Sequence, residues 1–345
     1  MSCYHPAFLQ RTYVPHLNDY QYKFLGSDSN FLETNDLLIG SYTACKSDGW
    51  SSENSAGSSF IQIPCGKCIG CRIDYSRSWA DRMVYHYFGR EECSYFLTLT
   101  YDDKHILDLE YVQDHDLFSL DYRDMDLFIR RLRNNFTDSK VQYYYSGEYG
   151  DSSFRPHFHM IVYNVFFHDL KFYKFNDHGD PLYTSSLLDS LWGKGYVVVG
   201  QFNWLSAAYT ASYVEKKRDG RKNIEYELLG LVPERCRCSR KPGLSYDFYI
   251  DHYHDIWSQD GYSVDRTIRN TGKLGIPRYF RKLAEEKGIG LDEYHDFKQR
   301  CLDRSNYLNF FKIQNSSFNS DRDGILDMLK YEEREILNRS FTKSF

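Results

Sequence analysis

The sequence predicts an α+β fold: a central antiparallel β-sheet flanked by helices, with an N-terminal cysteine knuckle and a helical C-terminal extension. Three observations carry this. Strand-like stretches such as "YFLTLTYDD" (95–103) and "RPHFHMIVYN" (155–164) alternate side chains with period two. The segment "SLDYRDMDLFIRRLRNNF" (119–136) carries an apolar stripe of Met125, Phe128, Ile129, Leu132 and Phe136 at helical spacing. Beyond residue 250 the chain reads as short polar helices, among them "IPRYFRKLAEEKG".

Each element follows in order. Residues 41–60 are rich in Ser and Gly and predict a loop. "IQIPCGKCIGCRIDYSRSWADRMVYHYF" runs from a cysteine knuckle into a helix with Trp79, Met83 and Tyr87 on one face. The strand at 95–103 sets Phe96 and Thr98 against Leu97 and Leu99, and an acidic turn closes it. Asp121 suits the N-cap of the 119–136 helix. The strand "KVQYYYSGE" and the strand that follows it are joined by a Gly/Asp/Ser turn. "TSSLLDSLWGKG" is a short helix ending near Gly193, "YVVVGQF" a further strand, and "SAAYTASYVEKK" (206–217) a helix capped by Ser206 or Asn203. These elements suggest three segments: 1–92 with the knuckle and a basic helix, 93–250 as the core, and 251–345 as the extension.

Charge narrows the function. A net charge of −5 over 345 residues argues against coating nucleic acid through global charge, so any such contact must be a local basic patch. The helix after the knuckle offers Arg72, Arg77 and Arg82; the later basic runs offer Lys217, Arg240 and Lys241; Arg155 stands at the turn ahead of the histidine strand. Aromatics make up 17% of the chain, a surplus that suits base stacking but is assigned mainly to the core. The nine cysteines, the lack of a signal-peptide pattern and the lack of any run of ~18 apolar residues predict a reducing setting without a membrane span.

The candidate chemistry lies in three clusters. His157 and His159 are two residues apart, so on a strand both rings leave one face while Phe158, Met160 and Val162 point the other way. Glu148 lies across the turn; a carboxylate and two imidazoles form a donor set suited to a catalytic divalent ion. On the 206–217 helix, Tyr209 and Tyr213 share a face with a lysine, Lys216 or Lys217. A phenol with pKa near 10 costs about 4 kcal/mol to ionise at pH 7, which a nearby ammonium and a polarised phosphate can offset. Cys65, Cys68 and Cys71 form C-x₂-C-x₂-C, a ligand spacing that needs a fourth donor; Cys3, His5, Cys45, Cys236 and Cys238 are candidates for that role, with zinc or an iron–sulfur cluster as the group held.

The ordered set "FLTLTY", "RPHFH" and "YTASYVEKK" resembles the HUH superfamily of rolling-circle initiators, relaxases and transposases. With "CYHP", "PCGKCIGCR", "SRSWADRM", "GEYG" and "SRKPGLSYDF" it is most similar to the replication initiators of gokushovirus-type microviruses, over roughly residues 1–250. The resemblance implies a replication initiator that nicks and rejoins single-stranded phage DNA at its origin. In it, His157, His159 and Glu148 hold Mg²⁺ or Mn²⁺, Tyr213 ahead of Tyr209 forms a 5′-phosphotyrosine, and Lys216 assists. Ser212 stands where the phage pattern often has lysine. Implied partners are origin DNA and the host replication machinery, in the host bacterial cytoplasm. A transposase or plasmid relaxase of the same chemistry, and a non-enzymatic zinc-stabilised single-strand binder, remain alternatives.

Overall fold

The structure, a computed structural model, describes residues 7–14, 19–26, 58–63, 65–66, 68–113, 117–150, 153–177, 179–218, 226–269, 271–314, 331 and 334–335. The chain divides into two compact units, residues 1–74 with 292–345, and residues 75–291. In the first, β1 (Ala7–Val14), β2 (Asp19–Gly26) and β3 (Ser58–Ile63) form an antiparallel sheet in the order β2–β1–β3. The loop expected through residue 60 thus gives way to a strand at Ser58, where "SSFIQI" brings in β-branched and aromatic residues. Helix α1 follows (Ile69–Tyr87).

The second unit is built on β4 (Ser94–Tyr101), the short pair β5 (Tyr111–Val112) and β6 (Leu117–Phe118), α2 (Tyr122–Asn135), β7 (Gln142–Tyr149) and β8 (Pro156–Tyr163). It continues with β9 (Lys171–Phe175), β10 (Pro181–Thr184), α3 (Ser186–Trp192), β11 (Gly195–Gln201), α4 (Trp204–Arg218) and β12 (Cys236–Cys238). Seven strands form one antiparallel sheet in the order β12–β7–β8–β4–β11–β10–β9. The β9–β10 hairpin has no counterpart in the sequence reading, because all of β9 is exposed and shows no buried alternation. Then come α5 (Tyr246–Ser258), β13 (Tyr262–Ser263) paired with β14 (Lys273–Leu274), α6 (Arg278–Lys287) and α7 (Leu291–Gln314). Among the described residues no helix is long and apolar enough to cross a membrane.

The sheet has two unlike faces. On one, Leu97, Leu99, Phe158, Met160, Val162, Val197 and Val199 are buried under Met125, Phe128, Ile129 and Leu132 of α2 and Leu188 and Trp192 of α3. Asp121 caps α2 by accepting from Arg123 N at 2.8 Å, and Gly193 closes α3 in the left-handed region with φ 63°. A one-residue slip of β8 would expose Phe158, Met160 and Val162, at about 1.5–3 kcal/mol each, and would turn the histidines into the core. That packing sets the register of the other face, which α1 and α4 approach. There Trp79 packs on Tyr144 at 5.1 Å between centroids, His86 on Tyr163 at 4.6 Å, and Tyr209 on His159 at 5.0 Å.

Candidate metal and tyrosine site

Register brings the first cluster together. Glu148 of β7 stands directly opposite His157 of β8, and His159 stands opposite Thr98 of β4 and Ser146 of β7. His157 Nε2 and His159 Nε2 are 3.1 Å apart, and Glu148 Oε2 lies 3.1 Å from the first and 3.2 Å from the second. The other ring nitrogens are turned outward. His157 Nδ1 donates to the Arg155 carbonyl oxygen at 3.0 Å, and His159 Nδ1 lies 3.2 Å from Thr98 Oγ1. A carbonyl can only accept, so the neutral His157 ring keeps its proton on Nδ1 and aims the Nε2 lone pair inward. Ring orientation fixed from behind in this way is the arrangement of imidazoles that ligate metals.

Glu148 and His159 are buried, with 4% and 5% exposure, while Tyr209 is 43% exposed and marks the open side. Burial disfavours a charged His157, but hydrogen bonds to Glu148 and the Arg155 carbonyl and the charges of Glu148 and Glu234 outweigh it and raise its pKa. Phe96 stacks on His159 at 5.5 Å with the planes 11° apart, flooring the site. Buried Glu234 accepts from Tyr149 N at 3.0 Å beside the site. The sequence reading overlooked Glu234 and did not connect Phe96 or Thr98 with the site. Strand alternation put Phe96 and Thr98 on one face, but no local pattern marks Glu234.

Helix α4 delivers the phenol. Asn203 caps it by accepting from Ser206 N at 2.8 Å, and Ser206 Oγ returns the bond by accepting from Asn203 N at 2.9 Å. Of the two residues the sequence offered, Asn203 is the cap, and the helix begins at Trp204. Tyr209 Oη lies 3.4 Å from His159 Nε2. Tyr213 is one turn further along the same helix; its side chain and those of Lys216 and Lys217 lie outside the described residues.

The start of α4 is held by a buried carboxylate. Asp81 Oδ1 accepts from Trp204 Nε1 at 2.9 Å, and Asp81 Oδ2 accepts from Arg269 at 2.8 Å and from Gly275 N at 2.9 Å. The Arg269 guanidinium also lies 5.1 Å from the Trp204 ring centroid. Asp81 thereby joins α1, the tyrosine helix and the β13–β14 hairpin. Burial raises its pKa, opposed by the charge of Arg269 and these hydrogen bonds.

The remaining predicted residues separate. Cys65, Cys68 and Cys71 converge, with Cys65 Sγ 4.0 Å from Cys71 Sγ and all three ligand atoms within 4.8 Å of one another. The Cys68 N–H donates to Cys65 Sγ at 3.3 Å. Cys3, His5 and Cys45 lie outside the described residues, while Cys236 and Cys238 stand on β12 opposite Ser146 and Tyr144. Arg77 is exposed and Arg72 half-buried. Arg82 departs from the expected solvent-facing role: it donates to the Leu244 carbonyl at 3.1 Å and stacks on Trp79 and Tyr279 at 4.7 and 3.8 Å. Its long apolar stem and planar head favour this aromatic sandwich over open solvent. Arg155 donates to the Tyr101 carbonyl at 2.7 Å and to Asp103 at 2.9 Å, pinning the turn before the histidines. Arg240 and Lys241 are exposed near the free edge of β12.

The fold and site together define a class: an antiparallel sheet that presents two imidazoles and a carboxylate to a tyrosine-bearing helix. The family model of the replication-associated protein ORF2 matches residues 94–218, the span from β4 through α4. The chain is 30% identical over 233 residues to the replication-associated protein ORF2 of Spiroplasma virus 4, covering 65% of this chain and 68% of that protein. It is 29% identical over 272 residues to the replication-associated protein VP4 of Bdellovibrio phage phiMH2K, covering 72% and 80%. A third relative, the replication-associated protein ORF4 of Chlamydia phage 1, is 29% identical over 259 residues, covering 71% and 60%. The chain belongs to this family of microvirus replication-associated proteins. No solved structure matches it.

Proposed function

We propose that the protein is a metal-dependent nickase and strand transferase that starts rolling-circle replication by cutting single-stranded phage DNA at the origin. The observation that carries this reading is the convergence of His157, His159 and Glu148 on one point with the Tyr209 hydroxyl beside them. The donor separations of 3.1–3.2 Å favour an octahedral ion. Two ligands about 2.1 Å from an ion lie about 3.0 Å apart at right angles and about 3.4 Å apart at the tetrahedral angle. Mg²⁺ or Mn²⁺ fits better than Zn²⁺. When bound, such an ion supplies positive charge against the scissile phosphate.

Tyr209 takes the leading role because its oxygen stands at the site; Tyr213, one turn on, is the second phenol. The tyrosine oxygen forms a bond to phosphorus as the P–O3′ bond breaks. The phenolic proton leaves to solvent, and the departing O3′ takes one up as a free 3′-OH. One phosphoester replaces another, so the energy of the cut bond is retained and the reverse attack by a 3′-OH reseals the strand. Lys216 is assigned to the charge on phosphate and phenolate. Arg155 fixes the turn and, through its carbonyl, the His157 ring.

The thiolate cluster is read as a structural zinc site. Sulfurs about 2.3 Å from a single tetrahedral ion lie about 3.8 Å apart, close to the 4.0 Å between Cys65 and Cys71. Cys3 is the proposed fourth ligand. The test of the main reading uses labelled origin DNA with Mn²⁺. It expects a covalent protein–DNA band that EDTA prevents and that the Tyr209→Phe/Tyr213→Phe double variant lacks. Nicking that persists in that variant without a band would point to a water nucleophile, and binding without any nicking to a non-enzymatic protein.

A further inference from the structure

The segment "SRKPG" at 239–243 has no role in the proposed chemistry, yet several hydrogen bonds hold it in place. Ser239 N donates to the Tyr143 carbonyl at 2.9 Å, Ser239 Oγ accepts from Tyr143 N at 3.1 Å, and Gln142 Nε2 donates to the Pro242 carbonyl at 3.4 Å. A bridge between Arg240 and Gly243 closes the turn. The turn is pinned to β7 while Arg240 and Lys241 remain exposed. Beside it opens a cleft of about 860 Å³, lined by Arg133 at the end of α2, Lys140, and Arg237, Arg240 and Lys241. No carboxylate lines it, although the whole chain has a net charge of −5. Arg237 is neutralised by Asp126 at 3.2 Å, and Arg133 sits 5.5 Å from the centroid of the Tyr143 ring. Among the described residues, Arg133, Lys140, Arg240 and Lys241 form no ion pair.

We infer that this cleft binds the phosphodiester backbone of the single strand at a distance from the cut. Four like charges held without counter-ions around a concavity repel one another, and a polyanion relieves that repulsion while releasing its own counter-ions. Tyr143, half-buried in the lining, and the hydroxyls of Thr137 and Ser139 add donors and a ring without bringing negative charge. The cleft takes in Gln142 and Tyr143 at one end of β7, and Glu148 lies near the other end. Six residues of strand separate Gln142 from Glu148, about 20 Å. The cleft is therefore an anchoring site for a strand several nucleotides from the cut, outside the metal and tyrosine machinery. This inference deepens the proposed function by naming where that substrate is held.

The test is binding alone, made in EDTA on the full chain, so its outcome does not depend on whether the protein nicks DNA. Fluorescence anisotropy is measured for labelled single strands of increasing length against the wild type and an Arg133→Ala/Lys140→Ala/Arg240→Ala/Lys241→Ala variant, with melting curves to verify folding. The wild type is expected to gain affinity as the strand lengthens past the 20 Å reach. The variant is expected to lose at least tenfold on the long strand, and its salt slope should fall by up to about 3, at roughly 0.7 per lost phosphate contact. If the quadruple variant does not fold, the Arg240→Ala/Lys241→Ala pair is read in the same way, with a slope change of about 1.4. Equal affinities and slopes for variant and wild type would overturn the inference, as would a loss confined to duplex DNA.

Discussion

Gly147 precedes Glu148 on β7, and its close packing offers a quantitative probe of how the core sets the site. A Cβ at Gly147 would lie 2.8 Å from the Tyr122 hydroxyl and 3.1 Å from ring carbons of both Tyr122 and Phe158. Tyr122 cannot simply withdraw: its hydroxyl donates to the Pro233 carbonyl at 3.1 Å and accepts from Arg235 N at 2.6 Å. Phe158 is fully buried between His157 and His159. Gly147→Ala should therefore cost about 1–3 kcal/mol by overpacking and lower the melting temperature by a few degrees. Tyr122→Phe removes the atom in closest contact but also removes two hydrogen bonds, at about 1 kcal/mol each. A double-mutant cycle by urea denaturation separates the effects. The double variant should be more stable than the sum of the single effects by at least about 0.5 kcal/mol, because the 2.8 Å contact is gone. Strict additivity, or a neutral Gly147→Ala, would refute the argument that this close approach explains the glycine.

Further outcomes follow from other parts of the unit. His86 is buried and accepts from Ser245 N at 2.9 Å through Nδ1; burial first, then the charges of Arg90 and Arg82, pushes its pKa down to about 3. Between that value and the ordinary ~6.5 the unfolded chain binds the extra proton. Stability present above pH 6.5 is thus lost as pH falls, by about 2 kcal/mol at pH 5 from this group, and denaturation of wild type and His86→Gln at pH 7 and 5 should show a smaller loss in the variant. Arg269→Ala leaves Asp81 buried without its cation and should destabilise by about 3–5 kcal/mol; adding Asp81→Asn should recover part of this, and no recovery would contradict the ion-pair account. Thr98→Val removes the group facing His159 Nδ1 and should weaken Mn²⁺ binding about 10–100-fold by calorimetry, with unchanged affinity counting against the proposed ligand set.

Parts of the fold and site were legible in the sequence because local pattern and tertiary role coincide there. The stripe from Met125 to Leu132 reads as a buried helix face and is one, since α2 lies on the sheet. Period two put His157 and His159 on one face because the opposite residues are apolar enough to be buried. The β9–β10 hairpin escaped notice because exposed strands carry no buried alternation. Glu234 and Asp81 escaped for a different reason: a lone acidic residue becomes significant only when distant segments close around it. Arg82 misled because a basic residue in a basic helix reads as solvated, whereas Trp79 and the distant Tyr279 enclose it.

The central claim is that the phenol beside the two imidazoles becomes joined to DNA. Its most direct test is incubation of the full chain with single-stranded origin DNA and Mn²⁺, then nuclease and trypsin digestion and fragmentation of segment 195–216, which contains Tyr196, Tyr209 and Tyr213. The account predicts a nucleotide-phosphate mass on Tyr209, with Tyr213 modified when a second cut follows. Modification on neither residue, in a preparation that demonstrably cuts the strand, would contradict it.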